Sequence, residues 1–436
     1  MERGEIHGKL TGRILVFSQP AGALPRAPGA WTSGDAHALF LGMRVLISGA
    51  GIAGPTLAYW LAHYGFVPTI VETAPRLRTG GYVIDFWGAG FDIAERMGLL
   101  PEITRKGYVF REVRIVNGSG KRVTGFPVDA FARVMRGRYV SLPRSELAAS
   151  IFGTIEGKVE AIFGDSIAHI EQTKSGVQVT FESRSLREFD LVVGADGLHS
   201  RVRELVFGEE SRFEKYLGYK AAAFTVDGYP HRDELVYLMY TQVGQQVGRF
   251  ALRGNRTMFL FTFADEEASG TDDVQSQKAV LRQRFGNGGW ECPEILEALD
   301  SAEDLYFDRV SQIRMDPQQG LWTRGRVTLL GDAASCVSLL AGQGCALAMV
   351  AAYILAGELY RAKGDYAEAF RRYQERFGPF VFSKQKAALR FAGAFAPKSQ
   401  FALFLRNQIF RLMAIPWIAD LAVGRDLADR ITLPDY

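Results

Sequence analysis
Gly49, Gly51 and Gly54 stand in a G-x-G-x-x-G spacing, and Glu72 closes the next apolar run. Each of these types has a distinct chemical use. Gly49 permits a tight turn out of a strand, Gly51 lets backbone amides reach a pyrophosphate, and Gly54 brings the following helix close to the sheet. Ile52 and Ala53 open that helix, whose free N–H groups would point at phosphate oxygens. Glu72 can accept ribose hydroxyls, and Arg78 follows closely enough to reach the same nucleotide unless it is a solvated surface arginine. The alternative for the whole stretch is a tight β–α turn that binds nothing. Two more glycine–acid groups occur far downstream, Gly194-Ala195-Asp196-Gly197 and Gly331-Asp332, the second followed by Gly342-Gln343-Gly344. Each closes a predicted strand, and strand carboxyl ends in an open α/β sheet share the edge where ligands bind. One extended dinucleotide can therefore meet all three. At the third group, Asp332 can hold sugar hydroxyls, while a helix starting near Cys345 offers its amides to a ring that is anionic when reduced.

The elements that must position these groups follow from periodicity. Val45 to Ile47 and Val67 to Val71 read as strands flanking a helix, and Phe91 to Met97 reads as a further helix. Phe110 to Val140 and Val159 to Phe181 read as strands, and Phe189 to Val193 as a buried one. A helix is expected over Leu142 to Ile151, opened by Pro143, and another starts within Leu198 to Val206. Arg144 falls in a first helical turn, where a cation is unfavourable. A bound anion would explain it; a plain surface residue is the alternative. Alternation in Ala223 to Val226, Leu235 to Tyr240, Gly248 to Leu252 and Thr257 to Phe263 predicts an antiparallel sheet. Helices follow over Val274 to Phe285 and Pro293 to Leu299, then strands over Tyr306 to Met315 and Arg326 to Leu330. Between Asp332 and Glu358 no charged residue occurs, which matches a membrane span in length. The turn at Gly342 to Gly344 splits that run, which reads instead as a loop and a buried helix, Cys345 to Leu359. The tail beyond Tyr366 is helical in pattern. There Phe401, Phe404, Leu405, Ile409, Leu412 and Met413 recur at helical spacing, with Lys398, Arg406 and Arg411 nearby. Packing onto the protein itself is expected of that face, with a membrane surface or a cavity lid as alternatives.

The composition suits an ordinary globular chain: 436 residues, 47% apolar and 23% charged, enough for two lobes. With 51 Lys plus Arg against 48 Asp plus Glu, the formal charge of +3 gives no field that would demand nucleic acid. Cys292, Cys336 and Cys345 have no metal-ligand spacing and cannot all pair, which predicts a reducing, cytoplasmic setting. Ahead of Met43 the segment is rich in Gly, Pro and Ala. Its apolar run, Ile14 to Phe17, is too short for a secretory signal, so residues 1–42 are expected to be a flexible extension or an extended gene start.

Taken together, these segments resemble the single-component aromatic hydroxylases with FAD, of the para-hydroxybenzoate hydroxylase type. The resemblance runs from Met43 to about Phe377. It rests on GAGIAG with Glu72, Arg78 before Gly80-Gly81, Arg144, GADGLHSRVR (Gly194 to Arg203), and GDAAS with AGQG (Gly331 to Gly344). Within that family the chain is most similar to the tetracycline-inactivating monooxygenases and the tailoring hydroxylases of aromatic polyketides, through GG-x-x-x-D ending on Asp85 and the long helical C-terminus. The implied fold is α/β: a Rossmann-like FAD-binding domain (43–110, 141–215 and 316–377), an antiparallel-sheet substrate domain (111–140 and 216–315) and a helical C-terminal segment (378–436). By resemblance, the first glycine set with Glu72 and Arg78 holds the ADP half of FAD, and Arg144 and Asp196 lie near the dinucleotide. Asp332 binds on the ribityl and pyrophosphate side, and Gly342 to Gly344 face the flavin pyrimidine edge.

The resemblance also implies a reaction. NADPH or NADH reduces FAD, O2 adds at C4a, and the resulting hydroperoxide hydroxylates an electron-rich ring or enol, so no catalytic triad is required of the protein. The absence of a second glycine fingerprint fits a nicotinamide that visits without its own Rossmann domain. The substrate, an aromatic small molecule, is expected between the flavin edge and the antiparallel sheet. Asp85, Trp87, Tyr237 and Arg249 are the lining candidates, each otherwise a plain sheet or loop residue. No nucleic acid and no stable membrane insertion are expected, and the assembly is a monomer or homodimer. Three positions depart from the family pattern: Ser335 stands for His, Ser338 with Leu339 for Pro, and Ala346 for Asn. Those at Ser338 and Ala346 favour one rival, a flavin reductase or dehydrogenase on the same fold; a flavin-binding carrier or sensor without turnover is an alternative from a different class. A halogenase is disfavoured, because no Trp-x-Trp-x-Ile-Pro segment is present.

Overall fold
The computed structural model describes residues 42–78, 80–128, 135, 137–267, 273–317, 320–413, 415 and 431–436. The expected N-terminal extension lies outside them apart from Gly42. β1 (Arg44–Ser48) is buried from Val45 onward and runs parallel to β2 (Val67–Glu72), with α1 (Ala53–His63) between them in sequence. β3 (Val83–Trp87), α2 (Ala89–Arg96) and α3 (Leu100–Lys106) follow, then the hairpin of β4 (Glu112–Val116) and β5 (Arg122–Pro127). β6 (Tyr139–Pro143) returns antiparallel to β3. Leu142 and Pro143 thus belong to a strand, and α4 (Arg144–Gly153) starts two residues later than the expected helix. β7 (Glu160–Phe163) joins the first sheet, while β8 (Ile167–Gln172), β9 (Val177–Phe181) and β10 (Leu186–Phe189) form an antiparallel sheet of their own. The run expected as one strand from Phe189 is broken at Asp190, whose carboxylate accepts from Arg44 N at 2.6 Å. β11 (Leu191–Gly194) therefore begins in the parallel sheet, beside β1.

α5 (Arg201–Phe207) is capped by Ser200, which accepts from Arg203 N. β12 (Glu214–Asp227), β13 (Val236–Gln242), β14 (Gln245–Ala251) and β15 (Arg256–Ala264) form a sheet with the expected antiparallel pairings, β12 lying beside β15 rather than β13. α6 (Val274–Phe285) and α7 (Cys292–Ala298) cover its outer face, and β16 (Leu305–Ile313) closes it beside β12. The sheet has seven strands in the order β16-β12-β15-β14-β13-β4-β5. It is mixed, because β4 runs parallel to β13. β17 (Thr323–Arg324) and β18 (Val327–Leu329) complete the first sheet, whose order is β17-β18-β11-β1-β2-β7. Then come the single turn α8 (Asp332–Ser335) and three helices: α9 (Gly344–Arg361), α10 (Tyr366–Phe395) and α11 (Gln400–Met413).

Among the described residues α9 is the one helix long and apolar enough to cross a membrane, and it is mostly buried, packed on α1, α2 and α10. Its approach to α2 is close: a Cβ on Gly90 would stand 2.5 Å from Ala346 Cα. Residues 431–436 carry no regular secondary structure rather than a helix. Tyr436 fills the space beside Gly357 and donates to the buried Glu358 at 2.8 Å, which Arg376 holds at 2.6 Å. α11 departs from the expected packing, since Phe401, Phe404, Leu405, Ile409 and Leu412 are exposed. The helix docks on β5 through its other face, with Phe410 edge-to-face on Phe126 at 5.3 Å and Arg406 buried.

Two expectations follow. Gly90→Ala should wedge α2 from α9 and lower stability by about 1–3 kcal/mol, read from a thermal or urea melt. His199 joins Glu210 at 2.9 Å and Asp308 of β16 at 3.3 Å, and these acids raise its pKa from 6.5 to about 10. A raised histidine pKa stabilises the fold fully below the unfolded value, and this is lost as pH rises through the folded one. The stability difference between wild type and His199→Gln should therefore be largest near pH 6 and vanish above about pH 10.

Candidate active site
The glycine turn after β1 is built by close approach. A Cβ on Gly54 would overlap the carbonyl oxygen of Gly49, and one on Gly49, whose φ is +107°, would lie 2.5 Å from Ala195 O. The end of β1, the start of α1 and the end of β11 therefore meet without side chains between them. Glu72 accepts from Ala50 N at 2.8 Å and from Ala74 N at 2.9 Å, which fixes the loop while leaving lone pairs for a ligand. Asp196 takes up a scaffold role. It accepts from Ser48 Oγ (3.3 Å), Ser200 Oγ (2.5 Å) and Val202 N (3.0 Å), tying the β1 end to the start of α5, and burial pushes its pKa up. Ile52 and Ala53 are buried at the α1 N-terminus, and Arg78 is exposed.

Beyond Gly51 the edge continues through Arg144. Its Nη2 would stand 3.4 Å from a Cβ on Gly51, so glycine is what admits the guanidinium there. Burial opposes the Arg144 charge, but Cys345, Tyr82 and Asp332 around it hold its pKa above the ordinary value. Burial likewise raises Asp332, against the pull of Arg144, and lifts the Cys345 thiol to about 11. A Cβ on Gly344 would lie 3.8 Å from Asp332 Oδ1, and Gly342 takes the left-handed φ of +65°. Glu72, Arg144 and Asp332 with three glycine turns thus form one continuous edge, with a carboxylate at either end and a cation between. That charge order and the missing Cβ atoms fit a dinucleotide. Tyr82 and Tyr306, with rings 5.3 Å apart, flank the same place. Sequence reasoning missed them as site residues; only the position of Tyr82 directly after Gly80-Gly81 hinted at it.

The far end of this edge meets the seven-stranded sheet. The ring of Trp87 would be 3.9 Å from a Cβ on Gly342. Two residues earlier on β3, Asp85 Oδ1 accepts from Tyr139 OH (2.7 Å), Ser141 Oγ (2.5 Å) and Tyr237 OH (2.9 Å). Among the described residues none donates to its Oδ2, which remains available to a ligand. Burial pushes the Tyr237 hydroxyl far up, so it stays a donor. Asp85, Trp87 and Tyr237 are therefore brought together, with Tyr139 and Ser141 as additions that sequence reasoning did not find. Arg249 does not join them. It pairs with Leu238 across β13 and β14, and so faces the side of the sheet opposite Tyr237. There it forms ion pairs with Asp233 and with Glu291 (2.8 Å), beside a cavity of about 680 Å³ on the outer face.

Residues 42–371 match the FAD binding domain family. An uncharacterized protein of Mycobacterium tuberculosis is 40% identical over 353 residues, covering 78% of this chain and 91% of that protein. A flavin-dependent monooxygenase from an unknown prokaryotic organism is 33% identical over 407 residues, covering 90% and 99%. The crystal structure of the tetracycline destructase Tet(55) superposes with a TM-score of 0.77 at 31% identity, covering 91% of this chain and 99% of that one.

The placement of Arg249 has a measurable consequence. Arg249→Ala leaves Asp233 and Glu291 without their shared cation and should destabilise the protein by about 3 kcal/mol in urea unfolding, while ligand affinity at the Asp85 side stays unchanged.

Proposed function
Because the chain belongs to the FAD-binding domain family of flavin-dependent monooxygenases, we propose that it hydroxylates a phenolic or polycyclic aromatic small molecule at the expense of NADPH or NADH. The observation that carries this reading is the junction at Trp87 and Gly342, where the glycine–acid edge ends beside the Asp85 hydroxyl cluster. A dinucleotide along that edge has its adenosine end at Gly49, Gly51, Gly54 and Glu72, with Arg78 in reach. Its middle lies at Arg144, beside the Asp196 turn, and its ring end at Asp332, Gly342 and Gly344. When bound, FAD supplies the redox chemistry, so that substrate, O2, NAD(P)H and a proton yield hydroxylated product, NAD(P)+ and water.

The residues of this chain do the rest. Tyr139, Ser141 and Tyr237 saturate Asp85 Oδ1, so the carboxylate presents Oδ2 in one orientation. A phenolic O–H donating to that oxygen gains electron density on its ring, which favours attack by an electrophilic oxygen. Trp87, Tyr237 and Phe250 shield the place with apolar surface, and excluding water protects reactive oxygen species from wasteful breakdown. The likeness to a tetracycline destructase supports a fused-ring phenol or enol as substrate. The Ser338 and Ala346 departures favour one rival, a reductase that passes electrons to an acceptor other than O2.

The purified protein should be yellow, and a screen of polycyclic phenols should find one that accelerates NAD(P)H oxidation with 18O from 18O2 in the product. Asp85→Asn should keep the flavin and lower kcat about 10²-fold or more. Turnover that proceeds anaerobically, with no label in any product, would select the reductase instead.

A further inference from the structure
The junction between the glycine–acid edge and the Asp85 cluster is carried by two helix N-termini. α2 begins at Ala89, just after Trp87 and a Gly88 with φ +69°, and α9 begins at Gly344. The helices touch near these ends, where Ala346 stands in the space that a Cβ on Gly90 would need. One contact alone would leave the angle between them open, so a second must set it. That second contact joins Arg96 and Tyr353, about 9 Å along α2 and about 10 Å along α9 from the first at the rise of a helix. Arg96 Nη1 donates to Tyr353 OH, and its guanidinium stands 5.1 Å from the centre of the Tyr353 ring. Tyr353 also meets Trp60 of α1 edge to face at 4.9 Å.

Residues 434–436 close over this second contact. Pro434 O accepts from Tyr353 OH at 2.7 Å and from Arg96 Nη1 at 3.1 Å, and the Asp435 carboxylate pairs with Arg96 Nη2 at 3.0 Å. Asp435 O accepts from Arg361 Nη2 at 2.5 Å. Tyr436 lies beside Gly357, where a Cβ would stand 2.1 Å from its ring, and meets Tyr353 edge to face at 5.2 Å, with the Arg361 guanidinium 4.5 Å from its ring centre. Its hydroxyl donates to Glu358, fully buried and held by Arg376 of α10. The Arg96–Asp435 ion pair is exposed and by itself contributes little. The bonds to Tyr353 and Glu358 hold the segment, because both partners are buried and their polar groups would otherwise go unsatisfied. Three residues thus tie the far parts of α2, α9 and α10 together.

We propose that residues 434–436, acting through Arg96 and Tyr353, are a positioning strap for the active site. They set the angle between α2 and α9, and with it the placement of Asp85 and Trp87, which lead into α2, against the turn at Gly342 to Gly344, which leads into α9. Arg96 is then a positioning residue. The assignment rests on the monooxygenase reading only for what the two sides of the junction hold, the substrate and the ring end of FAD.

The test compares FAD-loaded wild type with a form lacking residues 434–436 and with full-length Arg96→Gln, Arg96→Lys and Tyr436→Phe. Two quantities are read well below the melting temperature. One is the visible circular dichroism of the bound flavin, which reports the surroundings of its ring; the other is the change in flavin absorbance on titration with 4-phenylphenol. The deletion and Arg96→Gln should each alter the circular dichroism and weaken phenol binding about fivefold or more, the low end of coupling between separate sites. Arg96→Lys, which keeps a donor for Pro434 O and a charge for Asp435, should recover part of both, and Tyr436→Phe, which keeps a ring beside Gly357, should lie nearest wild type. Should the deletion fail to fold, Arg96→Gln decides; should the phenol perturb no form of the protein, the circular dichroism decides. Variants that melt earlier than wild type yet match it in these readings would reduce the strap to a structural tie and overturn the proposal. Altered readings in the variants, with no 18O incorporated by wild type, would refute the hydroxylase reading alone.

Discussion
Gly54 stands against Gly49 at a separation that no side chain permits, and the carboxyl edge of the parallel sheet depends on that approach. With the start of α1 pressed onto the turn, Ala50 N is presented to Glu72 on β2, and the same turn lies directly against Ala195 and Asp196 at the end of β11. Asp196 then anchors α5 through Ser200 and Val202. Three separate segments are thereby fixed relative to one another by backbone proximity and carboxylate acceptors rather than by bulky side chains. What remains along the edge is a row of amides, acids and one arginine with room for a long ligand. Arg144 occupies the first helical position of α4, where its charge is repelled by the helix dipole, and the Asp332 carboxylate is the acid that acts against this.

The second sheet divides its labour by face. Its outer face, covered by α6 and α7, holds Arg249 in compensated form between Asp233 and Glu291. Its inner face presents Tyr237 to Asp85. The β3–β6 ribbon is the hinge of this arrangement, because it carries Asp85, Trp87, Tyr139 and Ser141 out of the FAD-binding part to the sheet. Val83 N even donates to Met258 Sδ at 3.2 Å, so the ribbon is bonded to β15 of that sheet.

Much of this was legible in the sequence, and the reasons are local. Glycine spacing, a terminal acid and a short apolar run are read within thirty or so residues, and helices such as α6 carry their own limits: Asp273 caps it and Gly286 follows it. What escaped reading depends on pairing across the chain. Asp85 gathers hydroxyls from Tyr139 and from Tyr237, separated from it by 54 and 152 positions, and no periodicity announces that meeting. The parallel run of β4 beside β13 is equally invisible, since both strands alternate as an antiparallel pair would. Arg249 and Tyr237 could be sorted to opposite faces only after the register joined Leu238 to Arg249. In α11 the helical spacing of the apolar residues was correct, but it marked the exposed face, because Arg406 and Phe410 took the buried one.

The departures from the family pattern bear on the loop between α8 and α9. Ser338 adopts φ +134°, and its buried Oγ accepts from Leu340 N at 3.3 Å. Proline is locked near φ −65°, so a chain with proline at this position could not follow the same path. A backbone in that region costs about 1–3 kcal/mol, so the surroundings must impose it. Leu339 and Leu340 supply the constraint by packing on Ala221, Tyr219 and Val310 of the second sheet. At the other side of the turn, α2 and α9 cross closely, with Ala346 directly against Gly90. The loop from Ser338 to Gly344 is thus held from two sides, by the second sheet at Leu339 and Leu340 and by the crossing of α2 and α9 at Gly90 and Ala346.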